Sequence, residues 1–137
     1  MVDRIALAAA LAVVVALVAV VASRRRADAP TQPTWTVPAL LDRADFARPD
    51  APWLVVVFSS ATCAGCHEVA DAARPLESDA VAVEEVEVGE HRDLHERYSI
   101  DAVPTLVVVD AGGVVRESYV GPVSATELWA RVAELRG

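Results

Sequence analysis

The pattern of apolar and polar positions divides the chain into a long apolar run, a short patternless stretch and a region in which strand and helix periods alternate. From Ile5 to Ala22, eighteen consecutive residues are Ala, Val, Leu or Ile. Such a run, wound as a helix, reaches about 27 Å, close to the thickness of a bilayer's hydrocarbon core. It predicts one membrane-crossing helix over residues 5–22. With no charged or amide side chain inside it, the helix reads as a tether and not as a conduit. Residues 27–34, "ADAPTQPT", lack periodicity and read as an extended spacer.

Beyond the spacer the period changes several times. "TWTV", Thr34 to Val37, reads as a short edge strand, and "LLDRADF", Leu40 to Phe46, as a turn or two of helix. "WLVVVF", Trp53 to Phe58, is continuously apolar between Pro52 and Ser59-Ser60, as a strand buried on both faces would be. "CAGCHEVADAAR", Cys63 to Arg74, follows helical spacing instead. Cys66, Val69, Ala70 and Ala73 share one face, His67, Glu68, Asp71 and Arg74 the other, and Pro75 ends or bends the helix. "VAVEEVEV", Val81 to Val88, is strand-like, and "HRDLHERY", His91 to Tyr98, is a short helix with Leu94 and Tyr98 on one face. "TLVVVD", Thr105 to Asp110, is a second buried strand, joined through Ala111-Gly112-Gly113 to "VVRESYV", Val114 to Val120. A last helix opens at Ser124 with Glu127 three residues on, a capping box, and carries Leu128, Val132 and Leu135 on one face. Strands too apolar to meet water, interleaved with helices, define an α/β layered domain.

Charge narrows the possible partners. From residue 27 onward eight arginines face nineteen acidic residues, a net of about −11, so binding to nucleic acid through its phosphates is not expected. The chain has no lysine, which excludes Schiff-base chemistry and a lysine base. Arg24, Arg25 and Arg26 separate the apolar run from Ala27-Asp28-Ala29, which resembles a signal-peptide cleavage site. A signal peptide is uncharged there, so an uncleaved single-span anchor is the expectation. Positive flanks stay in the cytoplasm, which favours a cytoplasmic domain, with an exported domain as the alternative.

The two cysteines, Cys63 and Cys66, stand at the joint between the first buried strand and its helix. A thiol at a helix N-terminus meets unpaired N–H groups and the positive end of the helix dipole, which stabilise its thiolate. Cys63 is therefore the expected nucleophile, and Cys66, one turn on and facing the core, the resolving thiol. With His67 the same letters spell Cys-x-x-Cys-His, a haem-attachment pattern. The only methionine is Met1 and the surrounding strands leave no haem pocket, so neither haem nor any other cofactor is expected. No metal is expected either, since no second Cys-x-x-Cys completes a zinc site and His91 and His95 read as part of a solvated helix.

A dithiol at a strand-to-helix joint, followed by "SIDAVPT" and a hairpin, resembles the thioredoxin-like family over Trp53 to Arg136. The resemblance implies a central mixed sheet flanked by helices and thiol-disulfide exchange on protein substrates. It also implies a cis-proline substrate surface at Val103, Pro104 and Thr105, and a glycine, Gly121, after the hairpin strand. The domain plan is then an anchor with its arginine flank over 1–26, a linker over 27–34 and a thioredoxin-like domain over 35–137, expected as a monomer. Maturation of cytochrome c or another cofactor protein, and a non-enzymatic adaptor, are the alternatives. Three positions depart from the family. Thr62 replaces a tryptophan, Val57 a buried acid, and Glu85 a lysine on the neighbouring strand. Glu85 is thus a candidate to move the proton of the resolving thiol; the plainer reading places it, with Glu84 and Glu87, on a solvated strand end.

Overall fold

The computed structural model describes residues 1–24 and 35–137, which separate into two compact units, Met1–Thr34 and Trp35–Gly137. In the first, helix α1 runs Val2–Arg24. Side chains at 2, 7, 8 and 20–24 are outside the described set. Among the described residues no helix is long and apolar enough to cross a membrane, so the span expected at 5–22 finds no support at this level. Ile5, Leu11, Val13, Val14, Val15, Leu17 and Val18 are nonetheless exposed. The expected linker, 27–34, and Arg25 and Arg26 lie outside the described residues.

The second unit is built around strand β1, Trp53–Ser59, whose residues from Leu54 on are buried. Both neighbours in the sheet pair with it. Strand β2, Val81–Glu87, lies parallel on one side, and β3, Thr105–Val109, antiparallel on the other, with β4, Val115–Val120, beyond it, so the order is β2-β1-β3-β4. The parallel pair requires a crossover, and α2, Ala64–Ala73, supplies it, continued by a 3-10 turn at Arg74–Leu76 where Pro75 removes a donor. Helix α3, Arg92–Arg97, connects β2 to β3, and α4, Ala125–Arg136, follows β4. Ser124 caps α4 by accepting the N–H of Glu127 at 3.2 Å.

Alternation along β1 divides the core. Val55 and Val57 point to a cluster with Val69, Ala73, Leu128 and Val132 of α2 and α4. Leu54, Val56 and Phe58 point to a second cluster with Phe46, Leu94 and Tyr98. Burial of these side chains contributes on the order of 1.5–3 kcal/mol each.

The amino-terminal part of this unit differs from its sequence reading. Residues 35–37 form no strand, and Thr34 lies outside the described residues. Pro38 interrupts the extended segment, which meets the sheet only as a bridge between Leu40 and Val114. The helix expected at Leu40–Phe46 shrinks to one 3-10 turn, Arg43–Asp45, capped by Asp42. The reason is Arg43, which turns inward and donates to the carbonyls of Asp110 at 2.9 Å and Ala51 at 2.8 Å. The edge of β2 is also occupied, since the Val83 N–H is taken by Glu77 Oε2 at 2.6 Å.

Candidate active site

Three chain segments converge at the carboxyl ends of β1 and β2. The strand β1 delivers the backbone to Ser59 and Ser60, where the Cys63 N–H donates to the Ser60 carbonyl at 3.1 Å and closes a turn. Cys63 is the N-cap of α2, in extended conformation and with no side-chain cap on the helix's first N–H groups. The Cys66 N–H closes on the Cys63 carbonyl at 3.3 Å, which leaves the N–H groups of Ala64 and Gly65 to face a sulfur anion. Cys63 and Cys66 are joined as a disulfide with Cα atoms 5.4 Å apart. Cys63 is half-buried, whereas Cys66 is buried against the core face of α2 with Val69, Ala70 and Ala73. His67 is exposed on the opposite face.

Register brings the distant third element to the same end. Thr105 pairs with Phe58, so the Val103-Pro104 bond, which is cis, enters β3 beside the point where β1 leaves for the cysteines. Pro104 and Thr105 are buried and Val103 half-buried. The Pro104 carbonyl accepts the Gly121 N–H at 2.8 Å, and Thr105 Oγ1 donates to the Ala102 carbonyl at 2.8 Å. Gly121 has φ of +96°, which suits a residue without Cβ.

Glu85 pairs with Val57 across β1 and β2, the register its candidate role assumed. Its carboxylate accepts the hydroxyl of Ser59 at 2.8 Å, and Ser59 is buried. Beneath α2, Val57, Ala70, Arg74, Glu77, Val83 and Glu85 line a pocket of about 140 Å³. The whole acidic run of β2 is engaged in this way. Glu84 accepts the Ala47 N–H at 2.7 Å, and Glu87 Oε1 accepts the Ala61 N–H at 3.1 Å.

Glu87 carries a signal that the charge pattern concealed. It is the last residue of β2, and its other oxygen accepts the Glu90 N–H at 3.1 Å. Hydrogen bonds from the N–H groups of Gly89, Ala61 and Glu90, with the attraction of His95, hold its pKa below the ordinary glutamate value against a smaller opposing effect of burial. An acid at the end of a parallel strand, two residues before Gly89, is the sequence feature that marks such a cap.

His95 corrects a second expectation. It is not solvated but buried, with Nε2 within 2.8 Å of the Val86 carbonyl and its ring edge-on to Phe58 at 5.3 Å. Among the described residues no three His, Cys, Asp or Glu side chains are grouped to hold a metal.

Comparison with known proteins bears on these features. Residues 44–134 match the family model described as Thioredoxin. No curated protein matches the chain in sequence. Among solved structures, a mutant thioredoxin from Halobacterium salinarum NRC-1 is 25% identical with a TM-score of 0.55, over 63% of this chain and 76% of that one. The germline-specific thioredoxin Deadhead of Drosophila melanogaster is 24% identical with a TM-score of 0.55, over 64% and 84%. Mitochondrial thioredoxin 3 of Saccharomyces cerevisiae, in its oxidized form, is 20% identical with a TM-score of 0.52, over 63% and 81%.

Proposed function

Since the chain belongs to the thioredoxin family, we propose that it is a thiol-disulfide oxidoreductase acting on protein thiols and disulfides through Cys63 and Cys66, and that residues 5–22 tether it to a membrane. The observation that carries the chemistry is the disulfide seated on the uncapped N-terminus of α2. In the reduced protein the Cys63 thiolate attacks one sulfur of a substrate disulfide, a mixed disulfide forms and the substrate's first thiolate leaves and takes up a proton. Cys66 then loses its proton and attacks Cys63 Sγ, which releases the second substrate thiol and leaves the Cys63–Cys66 disulfide. Two electrons have passed to the substrate, and the same steps reversed would oxidise a dithiol.

Val103, Pro104 and Thr105 form the surface on which a substrate segment lies. Pro104 has no N–H of its own, so the neighbouring backbone groups remain available to an extended peptide. Glu85, paired with Val57 across the two strands, receives the Cys66 proton in place of the acid that Val57 has displaced. A Glu85→Gln protein whose thiol exchange keeps an unaltered pH dependence would remove Glu85 from the mechanism.

The tether is supported by the eighteen-residue apolar run and by the exposure of its large side chains, which need an apolar environment. Arg24 to Arg26 favour a cytoplasmic domain. Resistance to protease added to intact spheroplasts is the expected result, and digestion would place the domain outside. The reading as a whole is tested by trapping with Cys66→Ser, which should accumulate mixed disulfides through Cys63. An adaptor that merely uses the fold would trap none.

A further inference from the structure

The loop that carries the nucleophile is held by a carboxylate that the exchange steps above do not use. Glu87 Oε1 accepts the N–H of Ala61, two residues before Cys63, while Oε2 accepts the N–H of Glu90. The main chain reinforces the same joint, for the Val88 N–H donates to the Ser59 carbonyl at 3.0 Å and the His91 N–H to the Glu87 carbonyl at 2.8 Å. One residue makes room for the carboxylate. A Cβ on Gly89 would stand 2.8 Å from Glu87 Oε2 and 3.4 Å from Oε1, so only glycine lets the side chain settle there without being pushed aside.

We infer that Glu87 is a positioning residue for the dithiol, fixing the Ser60–Thr62 loop and setting a negative charge where it opposes the Cys63 thiolate. The inference rests on the reading of Cys63 as nucleophile. Two residues of chain span no more than about 7 Å, so a carboxylate bonded to the Ala61 N–H lies within roughly 10 Å of the Cys63 backbone. At that range a like charge disfavours the thiolate, the less so the more salt screens it. The positive end of α2 acts in the other direction. The balance raises the Cys63 pKa relative to a helix N-terminus alone, destabilises the reduced form and makes the pair a better electron donor. Other ionisable groups around this end are His67 and Glu68 on α2, Glu85 bonded to Ser59, Glu90 and His91 in the loop after β2, and His95 on α3.

The test is the pH profile of Cys63 alkylation by iodoacetamide in the full chain in mild detergent, in a Cys66→Ser background so that one thiol titrates. Glu87→Gln keeps an acceptor for the Ala61 N–H but removes the charge. Its Cys63 pKa should fall, with a matching gain in alkylation rate below the pKa, and the difference should vanish in about 1 M salt. Gly89→Ala keeps the charge and displaces it, and should lower the pKa in the same direction. With both cysteines present, either substitution should raise the reduced fraction in a glutathione buffer. Unchanged pKa values and reduced fractions in both variants, with only stability lowered, would make Glu87 a structural clamp and overturn the inference. Because the titration needs no substrate, it stands apart from the trapping experiment: absence of trapped partners defeats the oxidoreductase reading while the Glu87 result remains measurable.

Discussion

The two ends of the sheet solve the same problem with opposite charges. Where β1 begins and β3 finishes, the buried guanidinium of Arg43 gathers carbonyls from Arg48, Ala51 and Asp110. Where β1 and β2 finish, the carboxylate of Glu87 gathers N–H groups from the loops that follow them. Arg43 is sealed in, with burial pushing its pKa down while Asp110 and Asp50 push back, and among the described residues its Nε is the buried side-chain polar atom without a partner. Glu87 is half-exposed and holds the N–H of Ala61, two residues before Cys63. A clamp of the first kind fixes the fold, whereas one of the second kind can hold a reacting loop and still feel its charge.

The contrast can be broken at either end, and the largest effect belongs to the dithiol. Cys63→Ser should reduce catalysed cleavage of a disulfide-linked peptide to the background rate while the circular dichroism of the fold is retained, since Cys63 contributes little to the core. Arg43→Met should do the reverse. Leaving three carbonyls without their charged donor costs about 3 kcal/mol in urea unfolding, with Cys63 alkylation unchanged in the folded protein. A shift in Cys63 reactivity comparable to that of Glu87→Gln would erase the distinction between the ends.

Two glycines sharpen it further. Gly113, at the Arg43 end, has φ of +84° and lies against the Leu41 carbonyl, so Gly113→Ala meets both strain and a backbone clash and should cost roughly 2–3 kcal/mol. Gly121, at the dithiol end, has φ of +96° but open space around it, so Gly121→Ala should cost only about 1 kcal/mol. Equal losses in thermal unfolding would mean that the ends are packed alike.

The smallest effect is the acid response. Burial pushes the Asp110 carboxyl up, but the hydrogen bond and charge of Arg116 and the N–H groups of Val114 and Gly112 outweigh it and hold the pKa below its usual value, as the N–H groups around Glu87 do there. Each carboxylate therefore contributes stability that is present above its unfolded pKa, about 4, and is lost as the pH falls through the lower folded value. The unfolding midpoint should decline below about pH 4, less steeply in Asp110→Asn than in the unaltered protein. A midpoint that rises on acidification would contradict both shifts.

Much of this was legible in the residues. Apolar runs without alternation gave away β1 and β3 because a central strand must be apolar on both faces, and helical spacing identified Cys66 as the inward cysteine. The Val57 and Glu85 register followed from counting along two strands that carry no bulge. What escaped were features created by long-range hydrogen bonds. Arg43 fell inside the helix expected at Leu40–Phe46, and nothing local says that the Asp110 carbonyl, far along the chain, will come to meet it. Glu85 is exposed, as a solvated strand end would be, and Glu84 and Glu87 are half-exposed, but the N–H or hydroxyl that each accepts is not visible in a sequence. His95 was misread for the same reason, its partner being the Val86 carbonyl on another element.

The occupied N–H of Val83 has a consequence for the company this protein keeps. A sheet edge with free donors is a template on which a neighbour's strand can be added, and chains crowded together are those most exposed to that hazard. On β2 the Glu77 side chain has already claimed the Val83 donor, and Glu84, Glu85 and Glu87 surround the edge with negative charge. An extended segment approaching from that side would have to displace a carboxylate and meet three more. The Glu77 carboxylate thus does for this edge what a further strand would do at Val83, and leaves that donor with nothing to offer a neighbour.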